Sequence, residues 1–261
     1  MSDRRTHTYF ISDAHLGARY MDDPRRHERI LVDMLDRMSR NAKAVYMLGD
    51  MLDFWFEYRH VVPKGYVRFF GKLAQMVDQG IDVYWFKGNH DMWTDSYLTD
   101  EIGVTIVDEN METVIDGKHF FLSHGDGLGK LPKPYSILRS IFRNRTCQAM
   151  GRALHPSWLL PFAHRWSNHS RHKRGGGIAT YKGDDNEQQM QFAIAYARQH
   201  PETDYFINGH RHISADRPVP GSHARFVCLG DCFRQFTYAV FDGSELKLEQ
   251  YESEEFDVNI F

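Results

Sequence analysis

Residues 82–91 read DVYWFKGNHD, and this stretch carries two signals that decide the fold. Its first five residues are a short aromatic and β-branched run, the texture of a strand buried on both faces. A glycine and a cluster of Asn89, His90 and Asp91 follow at once. The same sentence is written twice upstream, as TYFISDAH over 8–15 and as AVYMLGD over 44–50, with Asp53 just beyond. Helical patterns separate the three. Pro24 opens one in which Ile30, Leu31, Met34, Leu35 and Met38 recur at helical spacing. A second covers 65–79, with Phe69, Phe70, Leu73 and Met76 on one face and Gly80 as its stop. Strand–helix–strand repetition predicts parallel βαβ units.

Downstream the texture changes. Residues 104–107, 112–115 and 119–123 read as strands, the last two joined by the hairpin signal Asp116-Gly117. Residues 186–199 read as a helix, 205–208 as a strand, and 237–241 with 245–251 as a hairpin about Asp242-Gly243-Ser244. The expected fold is α/β, a two-sheet sandwich flanked by helices.

The chain has 261 residues, 42% hydrophobic and 26% charged, with a formal charge of −3. That composition excludes a disordered chain, and no apolar run reaches the ~20 residues of a membrane span. One segment departs from the average. Residues 127–183 hold 11 Lys or Arg and no Asp or Glu, leaving 21 basic against 35 acidic residues elsewhere. Within it Leu138, Ile141, Phe142, Cys147 and Met150 suggest one amphipathic helix. The reading is a core formed by 1–126 and 184–261, with 127–183 inserted as a basic, apolar helical cap. The N-terminus lacks a signal-peptide pattern, and Cys147, Cys228 and Cys232 form no CxxC pair. The expectation is a cytoplasmic chain with reduced thiols.

Five polar clusters follow strands: Asp13-Ala14-His15, Gly49-Asp50, Gly88-Asn89-His90-Asp91, His124-Gly125-Asp126 and Gly209-His210-Arg211-His212. Parallel α/β sheets bind ligands beyond the carboxyl ends of their strands, so the clusters should meet at one edge. Asp, Asn and His together suit Mn²⁺, Fe²⁺ or Zn²⁺ better than Ca²⁺. Seven such ligands suffice for two ions if Asp50 bridges them. Ions ~3.5–4 Å apart can clamp the attacking and leaving oxygens of an in-line phosphoryl displacement.

In this order the clusters resemble the calcineurin-like metallophosphoesterase signature, over residues 13–212. The resemblance implies a two-sheet β-sandwich with a dinuclear site. By position, Asp13, His15, Asp50 and His212 would hold one ion, and Asp50, Asn89, His124 and His210 the other. His90 would orient or protonate the reacting phosphate, with Asp91 setting its orientation. Within the superfamily the chain is most similar to a bacterial lipid A-pathway branch. That branch cleaves a UDP-linked diacyl sugar at its diphosphate, typically with Mn²⁺, on the cytoplasmic face of the inner membrane. Asn89, His90, His210 and the cap residues Ser167, Arg171 and Arg174 would then contact substrate. A cap both cationic and greasy suits an anionic diphosphate carrying two acyl chains, and peripheral contact with an anionic membrane. The chain departs from the best-known members in having His90, GHRH, and Gly129-Lys130-Leu131-Pro132 after its HGD motif.

Competing readings attach to each feature. A single DxH or GNH is more often a capped turn than a ligand set, but five at successive strand ends argue against that. Asp53 and Asp126 are as suited to orienting ligands as to binding metal. The cap's charge could be a solvated face or a nucleic-acid surface, which makes a broader phosphodiesterase or nuclease the runner-up. A non-catalytic scaffold of this fold would be expected to lack ligands, and none is missing.

Overall fold

The computed structural model describes residues 5–156 and 179–253. Among them β1 (His7–Ile11), β2 (Ala42–Met47), β3 (Asp82–Phe86) and β4 (Thr105–Val107) pair in parallel. Antiparallel β10 (Thr237–Phe241) and β11 (Leu246–Gln250) complete a sheet of order β11-β10-β1-β2-β3-β4. The second sheet has the order β5-β6-β7-β9-β8, from β5 (Asn110–Ile115), β6 (Lys118–Ser123), β7 (Tyr205–Asn208), β8 (Ser214–Pro218) and β9 (Arg225–Leu229). The two-sheet sandwich is as expected, and β5 and β6 form the hairpin signalled by Asp116-Gly117.

Strand alternation feeds three apolar layers. Tyr9 and Ile11 of β1 point outward to α1 (Pro24–Ser39) and α2 (Val67–Asp78), meeting Ile30, Leu31, Met34, Phe69 and Leu73. Phe10, between them in sequence, faces the other sheet and stacks on Tyr46 and Phe120, with centroids 5.3 and 5.7 Å apart. On the far side, Phe206 and Phe226 pack against α5 (Gln188–Ala197) through Met190 and Ala193. Each buried side chain of this size contributes roughly 1.5–3 kcal/mol by leaving water. Burial on both faces explains why the central strands read as unbroken apolar runs.

Helix ends are satisfied as their sequence suggests, and once from a distance. Asp23 caps α1 by accepting from the amides of Arg25 and Arg26 at 3.0 and 2.9 Å, with Pro24 at the first helical position. Tyr66 gives α2 no side-chain cap; Glu28 of α1 accepts from the Arg68 and Phe69 amides at 3.0 and 3.2 Å instead. The two outer helices are thereby locked together.

Two expectations need correction. The single helix read through Leu138 and Met150 is two: α3 (Lys133–Arg143) and α4 (Arg145–Arg152) break at Asn144. Asn144 is extended, and its side chain accepts from the Thr146 and Cys147 amides at 2.9 and 3.1 Å, so it caps a new helix. The absence of acids in the cap also does not leave all its cations for ligands. Arg139 pairs with Asp126 at 2.8 Å, Arg143 bonds the Asp108 and Lys87 carbonyls, and Arg152 pairs with Asp95 at 3.0 Å. These cations dock α3 and α4 onto carboxylates and carbonyls of neighbouring segments of the chain. Its apolar residues Ile137, Ile141, Met150 and Leu154 are exposed.

One buried histidine ties the first sheet's helix to the functional edge. His27 is fully buried in α1, and its Nε2–H donates to the Cys232 carbonyl at 2.8 Å, just beyond β9. Burial, against the weaker pull of that bond, depresses its pKa to about 4. The unfolded imidazole takes a proton near pH 6.5, so this contribution is complete above pH 6.5 and is lost as pH falls toward 4. The shift corresponds to about 3 kcal/mol at most. His27→Gln keeps a donor for the carbonyl and cannot titrate. Urea unfolding between pH 7 and 4.5 should show the variant losing less stability than the wild type; equal losses would show that His27 charges without penalty.

Candidate metal centre

All five clusters meet at one edge, in the turns that leave β1, β2, β3, β6 and β7. Those turns are conformationally costly. Asp13, His15, Asp50, His210 and His212 all have positive φ, between 45° and 70°. A left-handed backbone costs an ordinary residue about 1 kcal/mol or more, and it turns each side chain inward where an extended exit would carry it past. Space is equally constrained. A Cβ on Gly88 would sit 2.2 Å from Asp50 Oδ1, and one on Gly49 would sit 2.7 Å from His124 Nδ1. Only glycine allows these loops to close on the ligand side chains.

The imidazoles share one orientation. His124 Nδ1–H donates to the Leu48 carbonyl at 2.7 Å, which leaves Nε2 facing Asp50 Oδ2 at 3.4 Å and Asn89 Oδ1 at 3.3 Å. His15 turns Nδ1 to Asp53 Oδ1 at 3.6 Å and Nε2 to both Asp13 Oδ1 and Asp50 Oδ2 at 3.7 Å. In His212, Nδ1 faces Asp231 Oδ2 at 3.7 Å and Nε2 faces Asp13 Oδ1 at 3.6 Å. His124 is held on Nδ1 by a hydrogen bond, His15 and His212 turn Nδ1 toward carboxylates, and all three present Nε2 to carboxylate oxygens, an arrangement suited to a metal-binding histidine. Asp13, His15 and His212 form one group with ligand atoms within 4.8 Å of one another, and Asp50, His124 and His210 a second.

The carboxylates divide their labour in the same way. Asp13 Oδ2 accepts from the His210 amide at 2.7 Å, and Asp50 Oδ1 from the His90 amide at 2.8 Å. Asp13 Oδ1 is buried with no hydrogen-bond partner. Such an oxygen, ringed by imidazole nitrogens, calls for a cation. The protonation balance makes the same demand. Burial alone would keep His124 neutral, but Asp50 and Asp13 outweigh it and push its pKa up to about 10. Burial and the neighbouring His124 charge push His210 down to about 4. The donor set of carboxylate, amide oxygen and imidazole fits intermediate divalent ions.

Other residues act around this centre. His90 Nδ1–H donates to the Asp53 carbonyl at 2.8 Å, and its ring stands edge-on to His15 with centroids 4.9 Å apart. Asp91, expected to orient His90, does something else. Its oxygens accept from the amides of Gly88, Asp50 and Met51 at 2.8, 3.2 and 2.9 Å. Its completely buried carboxylate therefore fixes the backbone that carries Asp50. Asp126 pairs with the cap arginines Arg139 and Arg143. Arg211 forks onto buried Glu187 at 3.2 Å through two nitrogens. Ser167, Arg171 and Arg174 lie outside the described residues.

Sequence reading missed Asp231. It accepts from the amides of Phe233, Arg234 and Gln235 and turns Oδ2 toward His212. The available signal was Leu229-Gly230-Asp231, which repeats Leu48-Gly49-Asp50 after another buried strand.

A two-sheet α/β sandwich with groups of candidate metal-binding side chains on one edge is the arrangement of a metallophosphoesterase. The chain belongs to the calcineurin-like phosphoesterase family, whose pattern matches residues 6–214. Its similarity extends over whole proteins. It is 39% identical to the UDP-2,3-diacylglucosamine hydrolase of Porphyromonas gingivalis, over 96% of this chain and 100% of that one. It is 30% identical to the UDP-2,3-diacylglucosamine hydrolase of Aeromonas hydrophila, over 94% and 98% of the two chains.

Asp50→Ala should lower bound metal in both groups, because Oδ2 faces His15 and His124 together. Elemental analysis after reloading with Mn²⁺ should find less than half the wild-type content, with phosphodiester hydrolysis lost. Full metal content would refute the shared role.

Proposed function

We propose that the protein hydrolyses UDP-2,3-diacylglucosamine at its diphosphate, giving UMP and 2,3-diacylglucosamine 1-phosphate in lipid A biosynthesis. The observation that carries the chemistry is the position of Asp50 Oδ2, 3.7 Å from His15 Nε2 and 3.4 Å from His124 Nε2. One carboxylate oxygen shared between two ligand groups suits a dinuclear phosphohydrolase. The identity of the substrate rests on the two whole-length relatives.

Asp13, His15, Asp50 and His212 would hold one divalent ion, and Asp50, Asn89, His124 and His210 the other, with Mn²⁺ as the assigned metal. Paired ions supply charge stabilisation and a water of lowered pKa when bound. In the reaction, a water oxygen bonds to phosphorus as the phosphoanhydride bond breaks, and the bridging oxygen leaves with the second phosphate. His90 holds Nδ1–H on the Asp53 carbonyl, so Nε2 is the nitrogen that orients the phosphate or exchanges a proton with it. Asp53 has two duties, orienting His15 with its carboxylate and His90 with its carbonyl.

The cap would receive the lipid half. Exposed Ile137, Ile141, Met150 and Leu154 suit acyl chains or a membrane surface. Arg139, Arg143 and Arg152 are engaged with the core; the family resemblance assigns Arg171 and Arg174, with Ser167 near them in sequence, to the substrate. None of the described helices is long and apolar enough to cross a membrane. Contact with an anionic inner-membrane surface on its cytoplasmic side is therefore proposed as peripheral.

Incubating the Mn²⁺-loaded protein with the UDP-lipid should release UMP. Absence of UMP beside brisk cleavage of DNA or a nucleotide diester would replace this substrate with a broader phosphodiesterase reading. Neutralising Arg171 and Arg174 together should weaken binding to substrate or anionic liposomes about tenfold, about 1.4 kcal/mol, while metal content holds. Unchanged affinity in both assays would return these cations to a solvated surface.

A further inference from the structure

The two sheets run in register along the edge that bears the metal centre. Phe10 of β1 stacks on Phe120 of β6, and Phe241 of β10 meets Tyr205 of β7 at 6.0 Å. Tyr84 of β3, Val107 of β4 and Met111 of β5 share one apolar cluster. Strands β3, β4 and β5 therefore stand at one end of the edge, and β10 and β9 toward the other. The cap helix α3 docks at the first end, through Lys87 after β3, Asp108 after β4 and Asp126 after β6.

The opposite end has its own wall, built by the loops after β1 and β9. The Phe233 ring lies edge-on to two candidate ligand rings, 5.8 Å from His15 and 5.4 Å from His212. Tyr20 continues the wall outward, 5.9 Å from Phe233, and is 38% exposed. The Arg234 guanidinium lies 5.6 Å over the Phe233 ring, and both Arg234 and Arg19 are exposed. Phe233 and Tyr20 thus lead outward from the metal centre at the end of the edge opposite α3, with the Arg234 cation over Phe233.

We infer that this wall is the nucleoside subsite, with the exposed ring of Tyr20 as the stacking platform for the nucleobase. The inference rests on the UDP-linked substrate proposed above and divides that substrate along the edge. The acyl chains lie toward the cap, the diphosphate lies at the metal centre, and the nucleoside lies against Tyr20. A base offers its π-face to an aromatic side chain whatever its identity, so Tyr20 recognises a base without selecting uracil. Arg234 places positive charge beside this wall, and guanidinium groups also lie favourably over rings.

Calorimetric titration of the Mn²⁺-loaded protein with UMP and with ribose 5-phosphate isolates the contribution of the base. UMP should bind at least about fivefold more tightly, the lower bound for one stacked base. The difference should narrow in Tyr20→Ala and persist in Tyr20→Phe. Equal affinities in the wild type, or a difference untouched by Tyr20→Ala, would overturn the assignment. UMP release from the UDP-lipid tests the parent reading separately. A protein that prefers UMP through Tyr20 yet leaves the lipid intact keeps the subsite and loses the lipid. One that cleaves the lipid without that preference keeps the substrate and loses the subsite.

Discussion

Two carboxylate oxygens, Asp13 Oδ1 and Asp50 Oδ2, stand among imidazole nitrogens in a buried pocket. Bringing them there is unfavourable without positive charge between them, because burial strengthens repulsion and removes water as a partner. The surrounding architecture is arranged around that demand. Left-handed turns aim the side chains, glycines let the loops close, and backbone amides occupy the second oxygen of each carboxylate. The Leu48 carbonyl fixes the His124 ring, and the Asp53 and Asp231 carboxylates face those of His15 and His212. The sandwich supplies the rigidity: all five turns leave strands packed on both faces, so their exits cannot relax independently.

That arrangement governs which parts were legible in the primary structure. Strands β3, β7 and β10 begin and end where their apolar runs do, and α1 starts at the proline that opens its periodicity. Burial on both faces writes itself into composition. Strand β8 left no such trace, because Ser214–Pro218 is an edge strand whose residues are largely exposed, and a strand at an edge tolerates polar residues and proline. The break at Asn144 was hidden for another reason. A hydrophobic stripe can continue across two helices when a capping side chain restarts the second, so periodicity alone reports one.

The site was legible as a set of residue types at strand ends, while the division of labour within it was not. Asp53, Asp91 and Asp231 are all aspartates beside a ligand motif, yet one turns to a ring, one holds backbone amides, and one does both. Sequence proximity placed Asp91 with His90, but its carboxylate serves Asp50 across 41 residues of chain. Charge showed the same limit. A cap without acids invites a reading of unspent cations, whereas the acids that meet Arg139, Arg143 and Arg152 are supplied by the core.

The tight packing at Gly88 has a consequence for how such a protein can diversify. With Asp50 already against the glycine, there is no room beside its carboxylate for a new side chain to adjust its reach or polarity. Substitution near the centre is therefore nearly all-or-none, and gradual change is confined to surfaces that touch the rest of the substrate. A scaffold of this kind can change clientele through its cap and its outer loops while its reactive chemistry stays fixed, separating the freedom to choose a molecule from the machinery that cuts it.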